Sequence, residues 1–285
     1  MDTLRVGGVP EHFNLPWHLA IENGFFEKKN IDLAWITCKG GTGEMCHMLE
    51  DKQLDLAVLL TEGAVKHIIE KRKTKILQLF VQTPLVWGLH VPYQCEIQHY
   101  SEVFDAPIAI SRFGSGSHLM PQVDAYFKKQ QIAESQWKVV HNLDGAIELA
   151  QENKEMVFYW EKFTTKPYVD QEIFRRVGEF ITPWPCFVIA VNKESYQKNK
   201  QQIDEIGKIV CYTASQLMEA TNALEMFEDR YNMPPIDAHD WFYMTEWAVT
   251  NEVSPKMLEN AMQILKECGV IRHKVKVEEL VVSEK

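Results

Sequence analysis

The run Ile108-Ala-Ile-Ser-Arg-Phe-Gly-Ser-Gly-Ser-His118 holds the residue types best suited to chemistry in this 285-residue chain. Three apolar residues end at Ser111, and a glycine/serine run follows before apolar periodicity resumes. The spacing predicts a buried strand that stops at a small loop and opens a helix. Ser117 is expected to cap that helix, and Gly114 and Gly116 let the backbone approach a guest closely. A helix N-terminus presents unpaired N–H groups and partial positive charge, which suits an anionic or carbonyl-bearing ligand. Arg112 adds a fixed cation. Ser111, Arg112, Ser115, Gly116 and Ser117 are therefore read as a site for an anionic or acceptor group. The alternative is a helix cap beside a surface arginine.

Three more turns carry polar and aromatic residues. Glu11, His12 and Asn14 follow the first apolar run, either as ligand contacts or as a helix-entry loop with Asn14 near the cap. Thr61 and Glu62 close another run. Thr61 could give a hydroxyl hydrogen bond; Glu62 could accept from a ligand amine or pair with Arg112, or the two could simply start a helix. Trp87, Trp160, Phe163 and Trp184 are candidates for an aromatic wall that stacks on a flat ring, with core packing the competing use. Trp160 leads them because Glu161 and Thr164 lie just after it. Glu161 could read a ring N–H or an amine, or lie at the surface.

Other chemistries find little support. The ten histidines form no HxH or HExxH arrangement, so no metal site is expected. No GxSxG, GxGxxG or Walker loop occurs, and no catalytic residue or cofactor is assigned. Gly40-Gly-Thr-Gly-Glu-Met45 lacks the Lys-Ser/Thr of a phosphate loop and is read as a tight, flexible turn at the edge of a cleft. A formal charge of −10 argues against nucleic acid and anionic membrane surfaces as partners. No window approaches the ~18 apolar residues of a membrane span. The six cysteines are scattered singly, and residues 1–10 carry no basic-then-apolar leader. A reducing, cytoplasmic location is the expectation.

The elements that must position these turns alternate. Strands are expected near residues 4–9, 31–37, 54–60 and 75–81, with helices at 16–23, from 43 to about 51, and at 64–71. The pattern restarts with strands at 106–111, 137–141 and 156–160 and helices at 117–130 and 144–152. A strand at 187–191 follows, then helices over about 195–229, 237–249 and 255–268, with Pro234-Pro235 parting the first two. The tail from residue 272 is expected to be a loop or edge strand. This is an α/β pattern of two mostly parallel sheets in series. Residues 1–86 plus 190–285 are expected to form one lobe and 87–189 the other, with a ligand cleft between them. In open α/β sheets ligands bind at the carboxyl ends of strands, where all four turns fall.

The same residues resemble a known family. His12 to Leu33 and Leu54 to Gly63 are similar to the opening and the third-strand turn of the type II periplasmic-binding-protein fold, in the branch of thiamine-pyrimidine-synthesis and nitrate/sulfonate/taurine-binding proteins. More closely, PEHFN, LLTEG, ISRFGSGSHLM, WEKFTTKPY and TPWPCFVIA together resemble a small intracellular fungal and bacterial family of that fold. The resemblance covers nearly the whole chain. It implies a solute-binding protein related to ABC transporter substrate-binding proteins, with two lobes closing by a hinge on a small molecule. The ligand type comes from the residues: Arg112 and the 111–117 loop suit an acidic group, the tryptophans a flat ring, and Glu62 and Glu161 N–H donors, so a small heteroaromatic or anionic ligand is expected. An ABC permease is the partner the resemblance would imply. The rival implication is a pyridoxal-phosphate-dependent pyrimidine-synthesis-like enzyme, for which Lys66 and His67 would be the lysine and consumed histidine. The cysteine-dense motif of those enzymes is missing here.

Overall fold

Leu56–Leu60 is apolar throughout because it is covered on both faces and paired on both edges. In the computed structural model, which describes residues 3–282, this strand lies between a parallel neighbour and an antiparallel one. The described residues divide into two units, 3–83 with 184–260 and 274–282, and 84–183 with 261–273.

The first unit is built on β1 (Leu4–Gly8), β2 (Leu33–Thr37), β3 (Leu56–Leu60), β4 (Thr74–Val81) and a late strand, Phe187–Asn192, in the order β2-β1-β3-late-β4. Helices α1 (Leu15–Glu22), α2 (Gly41–Glu50) and α3 (Thr61–Lys71) connect them. The second unit holds β5 (Val86–Pro92), β6 (Ile108–Ile110), β7 (Trp137–Val139), β8 (Val157–Glu161) and β9 (Phe174–Ile181), ordered β7-β6-β8-β5-β9, with α4 (Gly116–Lys128), α5 (Leu143–Gln151) and α6 (Lys166–Asp170). The late strand is then β10. In each sheet four strands run one way and one runs against them. That strand, β5 or β10, is the first after the chain passes into the unit.

No strand is expected at Val86–Pro92 or Phe174–Ile181, yet both form. Gly88 and Pro92 interrupt the first pattern, and Arg175, Arg176 and Glu179 dilute the second, which is an edge strand with one side in water. The unit boundaries fall at 83/84 and 183/184 because β10 is laddered to β3 and β4. The 40–45 run is the first turn of α2 and not a loop, since Glu44 Oε2 reaches back to accept the Gly40 N–H at 2.7 Å. The expected 195–229 helix is three: α7 (Lys193–Lys198), α8 (Lys200–Glu219) and α9 (Ala223–Tyr231). After α10 (Pro235–Tyr243) the chain lies along β4, with Gln82 N–H donating to Glu246 O at 2.8 Å and Ala248 N–H to Phe80 O at 2.9 Å. Helix α11 (Pro255–Glu267) follows. Of the tail, Val281 bridges Ile76 and Val282 N–H donates to Ile76 O at 3.0 Å, so β4's outer edge is covered by two segments. The last three residues of that tail lie outside the described residues.

Trp17, Phe80, Phe227, Trp241 and Trp247 are fully buried in the first unit. In the second, Ala109, Val140, Ala146, Met156, Phe158 and Phe174 form a core cluster. No helix among the described residues is long and apolar enough to cross a membrane.

Candidate functional site

Strand ends gather the polar residues of the first unit. β1 stops at Gly8, where a side chain would strike the Trp35 ring at 2.3 Å and Asn14 Nδ2 at 3.0 Å. A tight turn follows, with Asn14 N–H donating to Glu11 O at 3.1 Å and Asn14 Nδ2 to Val9 O at 2.8 Å. Asn14 Oδ1 is buried with no hydrogen-bond partner among the described residues. His12 is buried with its ring stacked on Phe13 at 5.1 Å and edge-on to Trp241 at 4.2 Å. Burial pushes its pKa down to about 3, so the imidazole is neutral.

β3 turns directly into α3, and the antiparallel β10 starts opposite its end, Phe187 facing Leu60. That register brings in residues 184–186. Thr61 N–H donates to Cys186 O at 2.9 Å and its hydroxyl to Pro185 O at 2.6 Å. The expected ligand donor at Thr61 is thus committed to backbone. Trp184 Nε1 donates to Glu62 Oε2 at 3.0 Å, so Trp184 holds a carboxylate. Glu62 Oε1 is buried without a hydrogen-bond partner among the described residues. Burial raises the Glu62 carboxyl to about 7, with the Trp184 hydrogen bond pulling the other way.

The second unit has its own set at the carboxyl end of β6. The cap position of α4 is Ser115, and not Ser117 as expected; Ser117 lies one residue inside the helix start. Its hydroxyl instead accepts the Ser111 N–H at 2.9 Å and lies 3.0 Å from Ser115 Oγ and 3.3 Å from Ser111 Oγ. Ser115 N–H and Oγ both donate to Arg112 O, at 3.2 and 2.7 Å. Three buried hydroxyls thus crowd the amino end of a 13-residue helix that starts at Gly116. Gly114, at φ +83, lets the loop turn, and its N–H donates to His118 Nδ1 at 3.0 Å.

Other expected contacts have structural partners. Glu161 Oε2 accepts from Phe163 N at 3.0 Å, Thr164 N at 2.6 Å and Thr164 Oγ1 at 2.8 Å, so it ties its own turn while burial raises its pKa. Replacing it with alanine is expected to cost about 1–3 kcal/mol, read from urea unfolding, because two backbone donors lose their acceptor. Trp160 stacks on Phe158 at 4.9 Å and packs on the core cluster. Trp87 is buried, with Nε1 donating to Thr182 Oγ1 at 2.9 Å. Lys66 is ion-paired with Glu70 one turn along α3, and His67 is buried in the same helix.

Sequence reasoning passes over two residues of interest. Phe113 is 60% exposed on the β6–α4 loop, edge-on to His118 at 5.1 Å, and its place between Arg112 and Gly114 could have marked it. Asp124 is fully buried with Oδ2 accepting from Tyr100 at 2.7 Å and Tyr159 at 2.8 Å. Nothing local marks Asp124, since its partners come from distant elements. A cavity of about 620 Å³ at the other ends of β1 and β3 is lined by charges that pair among themselves, Arg5 with Asp55 at 3.0 Å and Lys52 with Glu194 at 2.5 Å. No group of three metal-ligating side chains occurs among the described residues.

Two five-stranded mixed sheets, each with one strand inserted against the rest, and polar turns at the strand ends define the periplasmic-binding-protein fold, the fold expected from the five motifs. Residues 92–180 match the family described as Ca3427-like PBP. The CA3427 gene product of Candida albicans, described as defining a new family with the generic periplasmic binding protein fold, superposes with a TM-score of 0.91 at 23% identity, over 99% of this chain and 96% of that one. The aliphatic sulphonate binding protein SsuA of Escherichia coli gives 0.74 at 12% identity, over 99% and 97%. The alkanesulfonate-binding protein SsuA of Xanthomonas axonopodis pv. citri, bound to MOPS, gives 0.78 at 11%, over 99% and 98%. No curated protein matches the chain.

Proposed function

We propose that this chain is a non-enzymatic binding protein for a small solute that carries an anionic group, alone or on a heteroaromatic ring. The observation that carries the reading is the cluster of Ser111, Ser115 and Ser117 hydroxyls at the amino end of α4, in the loop that contains Arg112. Hydroxyl and backbone N–H groups at a helix start, with an arginine in the same loop, suit an anion or acceptor. The sulfonate-binding neighbours support it as analogy of fold. Hinge closure of the two units on the ligand is part of the proposal, to be read as a ligand-dependent fall in radius of gyration by solution scattering. A cytoplasmic location belongs to it as well, supported by six cysteines that form no disulfide among the described residues. An ABC permease is its proposed partner, testable by co-isolation from membranes.

Native mass spectrometry of the freshly purified protein tests the reading: a bound mass that leaves on unfolding is expected, whereas a shift that survives unfolding would favour a covalently held cofactor. With benzoate as a probe anion, Arg112→Ala is expected to weaken binding by about tenfold or more. Unchanged affinity would remove Arg112 from the site.

A further inference from the structure

Resting on the solute-binding reading, we infer that the start of α3 selects ligands that bring N–H donors on a flat base, such as an amidine or ring amine, and rejects an anionic group. Glu62 is 1% exposed: Oε2 takes the Trp184 N–H, and Oε1 has no hydrogen-bond partner among the described residues. A buried acceptor left unmade is costly, and a ligand donor is what removes that cost. The helix itself, 11 residues long, would attract an anion at this end. Glu62 sits in its first turn, so once its carboxyl ionises, as pH rises through 7, it supplies that negative charge itself and an incoming carboxylate or sulfonate meets a like charge in a dry environment. The surroundings are aromatic. Trp184 is buried against the carboxylate, and Phe187, opposite Leu60, packs on Phe13 at 5.0 Å. With its carboxyl raised to about 7, Glu62 can meet a basic nitrogen near neutral pH either as carboxylate or by passing it a proton.

The ligand class at this end of α3 is therefore an N–H donor on a flat base. Calorimetry with benzamidine, which carries the donor and no anion, tests it. Wild-type protein is expected to bind benzamidine about tenfold or more tighter than Glu62→Gln does. Trp184→Phe, which keeps the carboxylate and frees its second oxygen, should bind benzamidine as wild type does, and it serves as the test if the glutamine variant does not fold. Benzamidine binding that survives in Glu62→Gln, or that is lost in Trp184→Phe, overturns the inference and leaves solute binding standing. Binding of neither benzamidine nor benzoate to wild type at millimolar concentration counts against solute binding itself.

Discussion

Glu62→Gln is expected to abolish a loss of stability that the ligand-free wild-type protein shows as pH rises from about 5 to about 8. The Glu62 carboxyl titrates near its ordinary 4.5 in the unfolded chain and near 7 in the folded one, because burial disfavours the charged form. Between those values the folded state holds a proton that the unfolded state has released. Stability from this group is thus fully present below pH 4.5 and is lost as pH rises through 7. The size is on the order of 3 kcal/mol. Asp124 and Glu161 are also raised by burial, and His12 and His90 are lowered, but these are common to both proteins. The difference between wild-type and Glu62→Gln unfolding free energies, measured in urea at several pH values, isolates Glu62. Parallel curves would mean that the carboxyl is solvated and that its unpartnered oxygen finds water.

Trp241→Ala is expected to lower stability by about 3–5 kcal/mol, the range for emptying a large aromatic site. Trp241 is 1% exposed and touches four other rings: His12 at 4.2 Å, Phe227 at 4.9 Å, Phe13 at 5.0 Å and Trp247 at 5.7 Å. Those rings hold the turn after β1, which Trp247 also fixes by donating Nε1 to Phe13 O at 2.9 Å. The loss should therefore appear twice, as a lower urea midpoint at unchanged slope and as weaker binding of whatever ligand the His12 turn touches. A change under about 1 kcal/mol would show that the cluster collapses onto the gap, contrary to close packing.

The fold was largely legible because it is written in short-range patterns. Alternating apolar strands and amphipathic helices, punctuated by Gly24, Pro234-Pro235 and Gly269, are decided within a few residues of chain, and they place polar turns at the ends of parallel strands. What escaped were β5 and β9. A central strand containing Gly88 and Pro92, and a charged edge strand, read as strands only once a neighbour supplies their hydrogen bonds.

The candidate site divides along the same line. The sequence by itself determined which residues stand at the strand ends: Glu11, His12 and Asn14, Thr61 and Glu62, Ser111 to Ser117, and Glu161. Local spacing is enough for that. Only the tertiary structure decided what each one is bonded to. Trp184 reaches Glu62 across 122 residues because β10 runs antiparallel to β3 and starts at its end. Thr61 gives its hydroxyl to Pro185 for the same reason. Glu161 folds back on its own turn, and Trp160, one residue earlier on a strand whose side chains alternate between faces, joins the core. Hydrogen-bond partners are settled by burial, since a polar group removed from water must find a donor or acceptor wherever the fold brings one. That is a property of the packed chain and not of any stretch of it.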